Sequence, residues 1–362
     1  MSFPGRAFPI LLAAILLGGC MARMPDLYAV TTAPVAATAV ATSADPAAAD
    51  PAAADPAAAP ADTAAAPGEA ADGETDVASA GVASTAGPIA LAPVAQPNVP
   101  FFSGGTPQAR APSAIVVDAR TGKILYDDDA DGLRYPASLT KMMTLYLLFE
   151  AIDQGRYTLA SELPVSAEAA SRPPSKLGLK PGETITVDAA IRAMSVRSTN
   201  DVAVVVAEAV AGSEEAFVVR MNGAARALGM GRTRFTNASG LPDERQVSTA
   251  KDMAILGRAL MTRHRKYAGY FTLREWTYNG RRLQATNKLL GKVPGMRGIK
   301  TGYIRLSGFN LAASVERDGR HVIAVVFGGR TGAARDARIE ELIETWLPKA
   351  SGGAFLAAGF RN

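Results

Sequence analysis

The chain has 362 residues and a formal net charge of +4. That length holds two ordinary domains, or one large domain with appendages, and that charge implies no nucleic-acid partner. A single cysteine excludes an intrachain disulfide, and the two histidines, His264 and His321, lie far apart without metal-ligand spacing, so a zinc hydrolase or a histidine-based triad has no support.

Residues 1–19 read as an export signal. Arg6 gives a positive start, and Ala7 to Leu17 is an apolar run too short to span a bilayer. The run ends in Leu17-Gly18-Gly19-Cys20, which is similar to the lipobox of bacterial lipoproteins, where the cysteine thiol is acylated. Cys20 is therefore expected to carry a membrane-anchoring lipid; the alternative is an ordinary cleaved signal with an incidental cysteine. Residues 20–108 are expected to be a disordered linker. Asp-Pro-Ala-Ala-Ala repeats from Asp45 to Ala59, large apolar side chains are scarce, and proline at every fifth position opposes a helical stalk. Such a tether reaches on the order of 50 Å.

A folded domain is expected over residues 109–350, with residues 351–362 as a tail. Ser113 to Asp118 and Ile124 to Tyr126 read as a hairpin around Thr121-Gly122. Pro136 opens a helix whose apolar residues from Leu139 onward nearly fill its surface, so it is buried. Val187 to Met194, Asp201 to Val210 and Glu214 to Leu228 read as helices, the last stopped by Gly229. Ser248 is expected to cap an amphipathic helix running to about Met261, with Lys251 and Asp252 as surface charge. Leu273 to Trp276 and Arg282 to Ala285 suggest strands. Gly308 to Val315 and His321 to Phe327 form a hairpin through Asp318-Gly319, and a helix from about Ala333 to Leu347 follows. Strands at both ends with helices between them predict an α+β domain, an antiparallel sheet flanked by helices with a mostly helical subdomain.

Three short motifs carry candidate chemistry. Ser138 and Lys141 lie three residues apart, on one face of the buried helix's first turn. A neutral lysine there can take the proton of the serine hydroxyl, and the helix N-terminus favours the charge that develops. Ser248-Thr249-Ala250-Lys251 repeats the spacing, but reads better as a cap. Ser198-Thr199-Asn200 alone would be a capping turn, and Lys300-Thr301-Gly302 alone a strand edge with a surface lysine.

Together, Ser-x-x-Lys, Ser-x-Asn and Lys-Thr-Gly occur in the order found in penicillin-binding proteins and β-lactamases. From about Ala111 to Leu347 the chain resembles the serine-type D-alanyl-D-alanine carboxypeptidases, the low-molecular-mass penicillin-binding proteins. The likeness includes Val117 to Gly122, Ala137 to Lys141, Ser198 to Asp201, Asn237 to Pro242 and Gly298 to Tyr303. It departs at Ile304, where threonine is usual, and at Ser307, where alanine is common. Many relatives continue into a β-rich domain and an amphipathic anchor after the position of Leu347; a lipid on Cys20 would replace that anchor.

The resemblance implies a β-lactamase/transpeptidase-like fold and acyl transfer on peptidoglycan stem peptides, inhibited by β-lactams, without metal or organic cofactor. Ser138 would attack, Lys141 would be the base, and Ser198 would relay a proton to the leaving amine. Asn200 would fix the substrate backbone. Lys300 and Thr301 would bind the terminal carboxylate, with Gly302 beside them, and the N–H groups of Ser138 and Tyr303 would form the oxyanion hole. Arg335 would aid carboxylate binding, unless it is only a surface charge at a helix start. Three alternatives stay open. One is an endopeptidase of cross-links. Another is an inactive wall-binding lipoprotein. The third is a β-lactamase, opposed by the expected lack of a Glu-x-x-x-Asn pattern between Ser198 and Lys300.

Overall fold

The computed structural model describes residues 106–353. The export signal, Cys20, nearly all of the linker and most of the tail lie outside the described residues. Strand β1 (Ser113–Asp118) turns back into β2 (Ile124–Asp128), and a 3₁₀ turn over Ala137–Thr140 leads into α1 (Lys141–Asp153). Then come β3 (Glu162–Pro164), α2 (Ala167–Ser171), β4 (Thr184–Thr186), α3 (Val187–Arg197), α4 (Asn200–Ala211) and α5 (Glu214–Leu228). The chain continues through α6 (Ala250–Thr262), β5 (Glu275–Tyr278), β6 (Arg281–Gln284), β7 (Met296–Ile304), β8 (Gly308–Arg317), β9 (Arg320–Gly329) and α7 (Gly332–Trp346).

The main sheet has five antiparallel strands in the order β2-β1-β9-β8-β7. The last two strands in sequence therefore pair inside the sheet, and β7 is its edge. Every residue of β1 is buried, as is most of β8 and β9, because the sheet is covered on both faces. Helices α6 and α7 both pack on β1, β8 and β9. The turn between β8 and β9 places Asp318 and Gly319 at φ 53° and 69°, the left-handed pair that a two-residue hairpin requires.

Helix α1 is buried from Lys141 to Phe149 and packs on α4, α5, α6 and β7. It is apolar almost all round because it joins the sheet layer to the helical layer. Helix α4 carries Val202, Val204, Val205 and Val206, all fully buried. β-branched residues favour strands, but here burial on every side outweighs that preference. Helix α5 matches its expected bounds, because the Ser213 side chain caps its start and Gly229 at φ 85° ends it.

Two expectations are corrected around α6. The capping side chain is Thr249, which accepts the Asp252 N–H at 3.0 Å. Ser248 instead pairs its backbone with Arg134 and its hydroxyl with Thr233 at 2.8 Å. Asp252 is no surface charge. It is buried, accepts from Arg232 N–H and Thr233 Oγ1, and burial raises its pKa. The strands β5 and β6 form a separate two-stranded sheet, and β3 with β4 forms another.

Candidate active site

Three pieces of backbone converge on Ser138. The first is its own 3₁₀ turn, in which residues three apart eclipse one another. Ser138 is partly exposed, whereas Lys141 is completely buried. Lys141 Nζ lies 3.2 Å from Ser138 Oγ. It also donates to Asn200 Oδ1 at 2.7 Å and to the carbonyl of Ser239 at 2.5 Å. Among the described residues no carboxylate pairs with it directly. Burial first, and the Lys300 ammonium second, hold its pKa well below the ordinary lysine value, against a smaller upward pull from Asp201.

The second piece is the junction of α3 and α4. Ser198 adopts a left-handed conformation at φ 63°, which ends α3, and Asn200 opens α4. Thr199 sits at the N-cap position without a side-chain capping bond. A simple capping turn therefore does not account for these residues. The Ser198 hydroxyl is buried and has no hydrogen-bond partner among the described residues. Asn200 reaches inward with both ends of its amide. Its Oδ1 is taken by Lys141 and its Nδ2 donates to the carbonyl of Pro173 at 3.0 Å. The amide thus holds the lysine, and its NH2 carries a second hydrogen beyond the one given to Pro173. Behind it, the buried Asp201 carboxylate accepts the N–H groups of Leu177 and Gly178 at 3.0 and 2.9 Å, which pins the preceding loop over this junction.

The third piece is β7. Lys300 is 1% exposed, so it is not the surface lysine of the simpler reading. Its Nζ donates to the carbonyl of Thr301 at 2.9 Å. Burial and the Arg335 guanidinium lower its pKa to about 7. Arg335 is likewise buried at 5% exposure, held by the carbonyl of Asn310 and by Asp336, which removes the surface-charge alternative. The Thr301 hydroxyl donates to Thr286 Oγ1 at 2.7 Å. Gly302 lets the strand edge reach the nucleophile's turn: a Cβ there would lie 3.0 Å from the Pro136 carbonyl and 3.2 Å from the Ser138 nitrogen. Tyr303 follows, half exposed, with its ring 4.4 Å from that of Phe309.

The structure thus joins Ser138, Lys141 and Asn200 by direct contacts and sets Lys300, Thr301 and Gly302 on the neighbouring edge. It makes no hydrogen bond from Ser198 to either lysine. Sequence reasoning assigned no role to the loop Asn237–Pro242, yet that loop supplies Ser239 O. Gly240, at φ 85°, passes so close that a Cβ would stand 2.0 Å from the Ala137 carbonyl. A conformationally demanding glycine was the available signal. The departure at Ser307 is a turn fastener: its hydroxyl accepts from Ile304 N–H and donates to Gly308 O.

The expected lack of a Glu-x-x-x-Asn pattern also needs correcting, because Glu275 and Asn279 have that spacing. Glu275 lies on β5, half exposed, with its carboxylate engaged by Arg282 and Gln284. It holds a hairpin together and makes no contact with the three pieces above.

A family model described as D-alanyl-D-alanine carboxypeptidase, peptidase S11, matches residues 101–331. The chain is 38% identical over 238 residues to D-alanyl-D-alanine carboxypeptidase DacF of Bacillus subtilis, covering 65% of this chain and 61% of that relative. The chain thus spans about three fifths of that relative's length. Among solved structures, penicillin binding protein 5 from Haemophilus influenzae superposes with a TM-score of 0.63 at 32% identity, over 67% of this chain and 72% of the other. Penicillin-Binding Protein D2 from Listeria monocytogenes, in its cefotaxime-bound form, gives 0.59 at 31% identity, over 67% and 98%.

Proposed function

The chain belongs to the D-alanyl-D-alanine carboxypeptidase family, and on that footing we propose that it is a serine DD-carboxypeptidase that trims the terminal D-alanine from peptidoglycan stem pentapeptides. One observation carries the reading: a fully buried lysine, without a paired carboxylate, has Ser138 Oγ at 3.2 Å and two fixed acceptors beside it. A neutral lysine has two N–H bonds and one lone pair. Asn200 Oδ1 and Ser239 O take the two hydrogens, and the lone pair is left for the Ser138 hydroxyl. Lys141 then removes that proton as Ser138 attacks the carbonyl between two D-alanines.

Lys300, Thr301 and the buried Arg335 behind them supply positive charge and a hydroxyl for the terminal carboxylate. The backbone N–H groups of Ser138 and Tyr303 receive the developing oxyanion, which the close approach at Gly302 favours. Ser198 passes a proton to the leaving D-alanine through its otherwise unpartnered hydroxyl. Water then cleaves the acyl-enzyme, with Lys141 again as base. β-lactams would acylate the same serine, as the cefotaxime-bound relative suggests. The site of action would be the cell envelope, with the domain held by a lipid on Cys20 through the linker. No helix among the described residues is long and apolar enough to cross a membrane.

The test is mass analysis of purified muropeptides before and after incubation. Wild-type protein should convert pentapeptide stems to tetrapeptides with release of D-alanine, and Ser138→Ala should leave them unchanged. Cleavage of cross-linked dimers without pentapeptide trimming would make the protein an endopeptidase. Turnover of penicillin with little D-alanine release would make it a β-lactamase.

A further inference from the structure

The two acceptors that orient Lys141 sit on segments far apart in the chain. Ser239 O belongs to the loop after α5. Asn200 Oδ1 is aimed by its amide's bond to Pro173 O. One side chain reaches both segments. Glu214, the first residue of α5, accepts the Ala238 N–H on Oε1 at 2.8 Å and the Arg172 Nη2 on Oε2 at 2.6 Å. Ala238 immediately precedes Ser239, and Arg172 immediately precedes Pro173. The Ala238 carbonyl accepts from Thr144 Oγ1 of α1 at 2.6 Å, so this residue is held at both its N–H and its C=O. The Glu214 side chain is 12% exposed and that of Arg172 24%, which separates the pair from a freely solvated surface bridge. Arg172 also meets Glu168 one helical turn earlier.

We propose that Glu214 is a positioning residue of the acyl-transfer site, a strut that sets Ser239 O relative to Asn200 and so leaves the Lys141 lone pair facing Ser138. It touches neither substrate nor reacting atoms. Its effect is on alignment, to which proton transfer is sensitive at the scale of an ångström. The proposal rests on the acyl-transfer reading above.

The test is the rate of acylation by a fluorescent penicillin across a concentration series, separating the saturating rate constant from the apparent binding constant, with thermal unfolding of each variant alongside. Glu214→Ala should lower the saturating rate constant roughly tenfold or more and leave apparent binding within about twofold. Arg172→Ala should lower it by about threefold, and the double variant should be no slower than Glu214→Ala, because Arg172 acts only through Glu214. Glu214→Gln keeps an oxygen for the Ala238 N–H and should recover most of the loss. If Glu214→Ala fails to fold, Arg172→Ala carries the test. A wild-type rate in folded Glu214→Ala or Arg172→Ala, a loss confined to binding, or effects of Arg172 and Glu214 that simply multiply would overturn the strut. Wild-type labelling at Ser138 tests the acyl-transfer reading separately; an unlabelled wild type would overturn that reading and this proposal with it.

Discussion

Two buried lysines face one problem with opposite requirements. In the proposed mechanism Lys141 must lose its proton to act, whereas Lys300 must keep its own to hold a carboxylate. The depressed pKa of Lys141 makes kcat/KM rise with pH as the free enzyme's base becomes neutral. Lys300, with a pKa of about 7, is cationic below that value and neutral above it, so kcat/KM for a carboxylate-ended peptide should fall as pH rises through about 7. A bound carboxylate stabilises the Lys300 ammonium and raises its pKa, so kcat should keep the rising limb and lose the falling one near 7. Lys141→Arg should be inactive at every pH, because arginine stays protonated. Steady-state kinetics from pH 5 to 10 would check this; a flat kcat/KM profile or an active arginine variant would reject the lysine-base mechanism. The same depression has a sign for stability. In the unfolded chain Lys300 titrates near 10.5, so between about 7 and 10.5 the unfolded state binds more protons and stability gains with rising pH.

At the scale of elements, glycines decide how closely the segments approach the nucleophile. Gly240 and Gly212 both adopt left-handed backbone, at φ 85° and 87°, so at either position the conformation alone should cost alanine about 1 kcal/mol of stability. They differ in what surrounds them. Nothing lies within 4 Å of a Cβ at Gly212, whereas one at Gly240 meets the Ala137 carbonyl. Gly212→Ala should therefore unfold at a lower temperature yet label with penicillin at the wild-type rate. Gly240→Ala should lose labelling by about a hundredfold or more, because the backbone under Ser138 must shift. Equal labelling of both would show that the loop does not support the nucleophile. These elements were unequally legible. Helix α5 could be read to its ends because Ser213 and Gly229 are strong start and stop signals. The start of α6 was misread by one residue, since Ser248 and Thr249 can both cap and only tertiary pairing of Ser248 with Arg134 decides between them. The short α2, β3 and β4 offer too few residues for a period to show. Within the site, the motif side chains were legible because their chemistry is residue-specific. Ser239 was not, because it contributes a carbonyl, which every residue owns.

On the scale of the whole molecule, the sequence sets a long Ala/Pro-rich segment between its one cysteine and the folded domain. If Cys20 carries the lipid, Cys20→Ser should shift the protein from the membrane fraction to the soluble one, or block its processing, while purified protein acylates at the wild-type rate. Unchanged fractionation with normal processing would favour an ordinary cleaved signal. Inside the domain, the groups of the proposed site come from the turn before α1 and its start, the α3–α4 junction, the loop after α5 and the edge strand β7. The nucleophile's turn is clamped between that strand at Gly302 and that loop at Gly240. A chain in which the sheet has parted from the helices keeps every one of these residues but has lost Lys300, Thr301 and Gly302 from beside its serine. If β-lactams acylate Ser138 as proposed, covalent capture by an antibiotic would count correctly assembled molecules, and misfolded copies would be invisible to the drug.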